Sequence, residues 1–316
     1  MKARNILLCL SIVLCILSCD TKSCCKLGHD ACEIQLSFDV FHPSSGSKKG
    51  NSPPIILLHG ILDSKRTWKF IAQPLADNTK RTVFTVDARN HGDSPYTKDF
   101  SMDILADDLE DFFEQNNISK AILVGHSMGG KTSQTFSLRQ PNKVEMLIVE
   151  EMSTENLTSI IPAPVMQILI SLLRKSLDIV PDGSTEYVAF KIVKEYLLKR
   201  VPEALLNAEA FDVAPLYLIN GDLIYKVNLD VLEEKVYTDA FENQISGLYR
   251  DRALFIYGTK SLFAVAEDKR IRKYFPQAEF LGFRDGNHLT HQKYPEAFVR
   301  EVSRFITGVI DPASTC

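Results

Sequence analysis

The stretch Ala121-Ile122-Leu123-Val124-Gly125-His126-Ser127-Met128-Gly129-Gly130 constrains this chain more than any other. Four apolar residues in succession read as a short buried strand and Lys131 to Arg139 read as a helix, so Ser127 falls on the turn that joins them. So sharp a strand-to-helix turn holds its central residue in a strained backbone conformation, and a side chain at either flanking position would collide with the neighbouring strand or helix. Gly125 and Gly129 remove those side chains. The turn lifts the Ser127 hydroxyl above the carboxyl edge of a sheet, at the positive end of the helix, and aims the Met128 amide at the space where an oxyanion would form. Strand, Gly-x-Ser-x-Gly and helix in this order are the context of a nucleophile elbow.

The remaining chain supplies a parallel sheet for that turn. Ile55 to Leu58 is a continuous apolar run, as expected of a strand buried on both faces, and it opens onto His59-Gly60-Ile61-Leu62. Val83 to Val86, Met146 to Glu150, Ala253 to Tyr257 and Glu279 to Phe283 read as further strands, and Glu33 to Phe41 alternates as an edge strand does. Helices are expected over Thr67 to Asn78, over Ser101 to Phe113 with Ser101 as N-cap, and over Pro295 to Ile306. Between Val86 and Pro95 the loop Asp87-Ala88-Arg89-Asn90-His91-Gly92-Asp93-Ser94 packs its charges so tightly that ion pairing, rather than chemistry, is the expected role of Asp87, Arg89 and His91. Residues 154 to about 225 break the strand-helix rhythm, with apolar residues from Ile160 to Leu173 on one face of a helix and Tyr187 to Leu198 forming another. Helices inserted there are expected to form a cap whose apolar underside suits an acyl chain. The fold class is therefore α/β, a mostly parallel central sheet flanked by helices with a helical cap insertion.

Length and charge narrow the partners. At 316 residues with net charge -4 and few basic pairs, the chain has no electrostatic footprint for nucleic acid. Lys2 and Arg4, the apolar run Ile6 to Leu17 and the exit Ser18-Cys19-Asp20 read as a signal peptide or membrane anchor over residues 1–19, which implies secretion or membrane association. Residues 20–54 form a cysteine-containing leader and the edge strand. Six of seven cysteines lie in the first 32 residues and the seventh is Cys316, so no disulfide is expected in the body of the domain, residues 55–310. Neither metal-ligand spacing nor a phosphate-binding loop suggests a cofactor.

These residues carry a resemblance. The chain resembles the α/β-hydrolases and, more narrowly, is similar to the ABHD11 (alpha/beta hydrolase domain-containing protein 11) group and its bacterial esterase relatives, from about Ile55 to Ile306. The motifs are His59-Gly60, the loop Thr85 to Pro95, Gly125 to Lys131, Val227-Asn228-Leu229-Asp230 and Gly286-Asn287-His288. The resemblance implies an α/β-hydrolase fold, a serine hydrolase acting on acyl esters, diacylglycerol lipase activity in some members, and a mitochondrial location for animal members, from which the secretory-looking leader departs.

The order nucleophile, acid, histidine is the one this fold uses. Ser127 is the expected nucleophile and His288 the general base, with His291 three residues on as competitor; His59 is expected to be a buried structural imidazole. The backbone amides of Ile61 and Met128 are the expected oxyanion donors. Three readings of the acid stay open. The usual position after Ala253 to Tyr257 holds Ser261, and the later Glu267 and Asp268 are expected to face solvent. The resemblance offers Glu151, at the end of the strand after the elbow helix, or Asp230, matching an aspartate of family members; Glu150 is a third candidate. Turnover is expected to fall in acid as His288 protonates, near a pKa of about 6.5 to 7. A thioesterase or amidase would use the same triad, and a non-catalytic partner-binding protein could keep the same fold.

Overall fold

The computed structural model describes residues 34–44, 52–202, 215–220, 222–242 and 245–308. The expectations for residues 1–33 and for all seven cysteines lie outside these residues.

Seven strands form one sheet: β1 (Phe38–Phe41), β2 (Ile55–Leu58), β3 (Val83–Val86), β4 (Ala121–His126), β5 (Val144–Glu150), β8 (Ala253–Gly258) and β9 (Ala278–Phe283), in the order β1-β3-β2-β4-β5-β8-β9. Only β1 runs antiparallel among them, pairing with β3 at the edge. The register pairs Leu58 with Gly125, His126 with Glu150, Glu150 with Ile256, and Gly258 with Phe283. The carboxyl ends of β2, β4, β5, β8 and β9 are therefore level, and the loops leaving them converge on one rim, where ligands bind in open parallel sheets.

Burial explains the continuous apolar runs. All four residues of β2 and all six of β4 are buried. On one face Ile55, Leu57, Ile122, Val124, Ile148 and Ile256 pack with Trp68, Leu75, Phe298 and Val302 in a single core. Phe298 and Val302 come from the last helix, Pro295–Thr307, whose apolar stripe faces inward as its spacing requires. The helix Met102–Gln115 starts at Ser101, whose hydroxyl accepts from the Ile104 amide at 3.2 Å. The helix expected over Thr67 to Asn78 is instead a 3-10 turn, Lys65–Trp68, followed by the helix Ala72–Thr79. Pro74 is the reason: it has no N–H to give an earlier turn and is tolerated in the first turn of a helix.

The elbow follows the crowding argument. The strand β4 ends at His126 and the helix Met128–Arg139 begins one residue after Ser127, which has φ 51° and ψ -115°. A Cβ on Gly125 would overlap the Gly129 carbonyl oxygen and Ser133 Oγ, and one on Gly129 would overlap the Leu58 carbonyl oxygen. The obstacles are mostly backbone, which cannot swing aside. Gly129→Ala is expected to destabilise the protein by about 1–3 kcal/mol, read as a lower urea midpoint with an unchanged slope.

Between β5 and β8 the chain leaves the sheet for the helices Ala163–Asp178 and Glu186–Leu198, a two-stranded antiparallel hairpin of β6 (Leu216–Ile219) and β7 (Asp222–Tyr225), and the helix Leu229–Lys235. The hairpin departs from the all-helical reading. Asn220-Gly221 stands between its strands, a dipeptide that favours tight hairpin turns, and Asn220 has φ 54°.

Candidate active site

Ser127 sits at the centre of the level strand ends. Its amide donates to the Glu150 carbonyl at 2.9 Å, and the Gly129 amide donates to the His59 carbonyl at 3.0 Å, tying the elbow to the loop after β2. Ser127 Oγ is buried and has no hydrogen-bond partner among the described residues. Met128 opens the helix, so its amide has no intrahelical carbonyl to meet. Ile61 lies two residues after His59, on the wall of an apolar cavity of about 1020 Å³ including its open mouth. Met166, Leu169, Leu173 and Leu197 of the inserted helices line the same cavity.

His288 arrives on the loop after β9 and lines the same cavity. Its Nδ1 faces Glu151 Oε2 at 3.4 Å, and its carbonyl accepts from His126 Nε2 at 2.7 Å. Phe263 stacks on the imidazole with ring centroids 3.9 Å apart and planes 11° from parallel. Glu151, the first residue past β5, is fully buried with φ 57°. The Gly258 amide donates to its Oε1 and the Ser261 hydroxyl to its Oε2. The position after β8, where an acid was expected, thus holds a hydroxyl that grips an acid delivered by the neighbouring strand.

The other candidates are placed elsewhere. Asp230 lies in the first turn of the helix Leu229–Lys235 with its side chain 86% exposed, and it pairs with Arg174 at 2.6 Å. It is not brought to His288. The neighbouring Asn228 carries the contact instead: its amide donates to the Asn90 carbonyl at 2.8 Å and its side-chain amide to Asn90 Oδ1 at 3.0 Å. Glu150 binds His291 with both oxygens, taking the His291 amide at 2.8 Å and facing Nδ1 at 2.8 Å. His291 Nε2 meets Thr67 Oγ1 at 2.7 Å, so both ring nitrogens of that histidine are engaged. Asp268 is not solvent-facing as expected, since its side chain is 7% exposed and accepts from the Thr154 amide at 2.8 Å.

Several buried groups are structural. His59 Nδ1 donates to the Gly60 carbonyl at 2.7 Å and Nε2 accepts from the Ala88 amide at 3.0 Å; burial pushes its pKa down to about 4. Arg89 pairs with Asp108 at 2.6 Å, Asp87 accepts from the Lys65 and Asp93 amides at 2.7 and 2.9 Å, and His91 Nδ1 donates to the Arg89 carbonyl at 2.8 Å. The charged loop is a scaffold for the loop that holds Ile61. Lys131, wholly buried on the elbow helix, donates to the Thr154 and Glu155 carbonyls at 2.9 and 2.8 Å, and burial lowers its pKa to about 8.

His126, Glu150 and His291 also bring three possible metal-ligand atoms within 4.8 Å of one another. Glu150 and His291 already satisfy each other and Thr67, and His126 Nδ1 has no partner among the described residues. That donor set reads as a hydrogen-bonded network beneath His288. Sequence reasoning missed His126 and Phe263; the one signal was that a histidine flanked by two elbow residues must be buried.

Burial pushes the Glu151 carboxyl up to about 7 against the opposing pull of Ser261 and Gly258, and pushes His288 down to about 3. A carboxyl whose pKa is raised on folding contributes stability below its unfolded value of about 4.5 that is lost as pH rises through about 7. Glu151→Gln cannot ionise, so relative to wild type it is expected to gain stability between pH 4.5 and 8, on the order of 2–3 kcal/mol, in parallel urea titrations.

The family model described as "alpha/beta hydrolase fold" matches residues 53–189. The sn-1-specific diacylglycerol lipase ABHD11 of Danio rerio is 31% identical over 277 residues, covering 87% of this chain and 84% of that protein. The protein of the same name in Mus musculus is 30% identical, covering 91% of this chain and 90% of that one. Among solved structures, a marine microorganism esterase superposes with a TM-score of 0.69 at 24% identity, covering 86% of this chain and all of that one. Among the described residues no helix is long and apolar enough to cross a membrane.

Proposed function

The chain belongs to the α/β-hydrolase family, and from that premise we propose that it is a serine hydrolase cleaving acyl esters, lipid or short-to-medium chain, as a diacylglycerol lipase or carboxylesterase does. The observation that carries this reading is Ser127 on its strained turn with His288 and Glu151 on the same rim, beside an apolar cavity. His288 removes the proton of Ser127 as Oγ attacks the ester carbonyl, and Glu151 holds the imidazole tautomer and balances the imidazolium. The amides of Ile61 and Met128 take the oxyanion. The alcohol leaves with the proton from His288, and water, activated by the same imidazole, cleaves the acyl-enzyme. The inserted helices cap the site and receive the acyl chain.

The active form needs Glu151 ionised and His288 neutral. Burial raises the Glu151 carboxyl and lowers the His288 imidazole, and the pair reaches its active form by losing one proton. We therefore expect kcat/KM to rise with pH through a midpoint near 7, belonging to the Glu151–His288 pair rather than to free histidine. A profile flat from pH 5 to 9 would remove His288 and Glu151 from the mechanism.

Fluorophosphonate labelling tests the nucleophile. Labelling of the wild type that disappears in Ser127→Ala supports the reading, whereas a wild type that does not label favours a fold kept for binding a partner.

A further inference from the structure

A nucleophile and a base delivered by two separate loops act together only if one loop is fixed against the other. Ser127 and His288 do not fix each other through their side chains. Ser127 Oγ has no partner among the described residues, and His288 Nδ1 stands 3.4 Å from Glu151 Oε2, longer than an ordinary N–H to oxygen bond. A bond that ties their backbones is made by His126. This residue ends β4, joined to Ser127 by a peptide bond, and its Nε2 donates to the His288 carbonyl at 2.7 Å. A carbonyl oxygen has no hydrogen to give, so the proton of the imidazole is on Nε2. Burial holds the ring well below its usual pKa, which keeps it neutral. The ring has little freedom to make the bond elsewhere. Its centroid lies 4.7 Å from that of His288 and 4.9 Å from that of His291. Its Nδ1 edge faces Gly60 so closely that a Cβ there would come within 2.7 Å. His291 is itself held by Glu150 and Thr67.

We propose that His126 is a positioning residue: its Nε2–H holds the His288 backbone against the elbow and so sets the reach of the base to Ser127 Oγ. The role rests on the reading of Ser127 and His288 as nucleophile and base. What the position requires is a donor at the place of Nε2, and neither an imidazole as such nor volume alone supplies it. A misplaced base weakens the transition state and leaves ester binding alone, so loss of the bond falls on kcat and kcat/KM alike.

Two amides of the same chemistry separate donor from volume. Glutamine carries its side-chain nitrogen as many bonds from Cβ as histidine carries Nε2, whereas asparagine reaches only as far as Nδ1. With a p-nitrophenyl acyl ester at pH 8, and each variant shown folded by urea titration, His126→Asn and His126→Phe are expected to lower kcat by about 10–100-fold with KM within about threefold of wild type, the scale of a base misplaced by about 1 Å. The rate constant of fluorophosphonate labelling should fall by the same factor, while His126→Gln should stay within about fivefold of wild type in both. His126→Asn as active as wild type, or His126→Gln falling as far as His126→Asn, overturns the positioning role and leaves the ring as packing. The tautomer in the wild-type protein, read from long-range proton–nitrogen correlations of histidine-labelled material, checks the donor whether or not the variants fold: a proton on Nε2 supports the proposal and one on Nδ1 overturns it. A wild type that labels at Ser127 while the His126 variants label as fast would sink the positioning role and leave the hydrolase reading standing; a wild type that neither labels nor turns over ester removes both.

Discussion

Ser127→Ala and His288→Ala are each expected to lower kcat for a p-nitrophenyl acyl ester by at least about 10⁴-fold, because neither half of a nucleophile–base pair retains function without the other. The two effects should not add: the double variant is expected to be no worse than either single one. Stability separates the loss from misfolding. Ser127 Oγ is a buried hydroxyl with no partner among the described residues, so removing it should leave the urea midpoint unchanged or raised. His288→Ala, by contrast, empties the ring position stacked on Phe263 and should lower the midpoint. Residual activity of Ser127→Ala within about tenfold of wild type would place the nucleophile elsewhere.

Glu151→Gln is expected to reduce kcat/KM by about 10³–10⁴-fold, since an amide in that place can favour the wrong imidazole tautomer and cannot balance its charge. Asp230→Asn, on an exposed helix start and paired with Arg174, should stay within about twofold of wild type. The pair of variants decides between the two acids that the sequence offered. If Asp230→Asn lost the larger factor, the buried carboxyl beside His288 would have to be read as structural. Steady-state assays at pH 8, above the Glu151 midpoint, keep the comparison free of protonation.

The sheet and the elbow were legible because their signals are local. Apolar runs such as Ile55 to Leu58 announce a strand buried on both faces, and the glycines at 125 and 129 announce a turn that has no room for a Cβ. The acid was legible only as a choice among Glu151, Asp230 and Glu150. Its position depends on three strands meeting, with Glu151 from β5, the Gly258 amide and Ser261 hydroxyl from β8 and its loop, and His288 from beyond β9. Ser261 alone looks like a missing acid and Asp230 alone looks like a replacement, while the carboxyl that faces His288 comes from a third element, the end of β5. The hairpin is a different case. Asn220-Gly221 between two β-rich tetrapeptides was a local signal, outweighed by the helical periodicity that precedes it. Asp268 was misplaced because a carboxylate in a charged stretch reads as solvated, and nothing nearby in sequence points to Thr154 as its donor.

On the proposed mechanism, the adjacency of β5, β8 and β9 also bears on when the chain becomes reactive. Ser127 is synthesised early, while the proposed base His288 follows 161 residues later, on the loop after the last strand, which pairs on the far side of β8. At ordinary translation speeds of about 5–20 residues per second, that interval is roughly 10–30 s. During it, the nascent chain carries the proposed nucleophile without its proposed base, so on that reading acyl chemistry is expected to switch on with completion of the sheet and not with formation of the turn that holds Ser127.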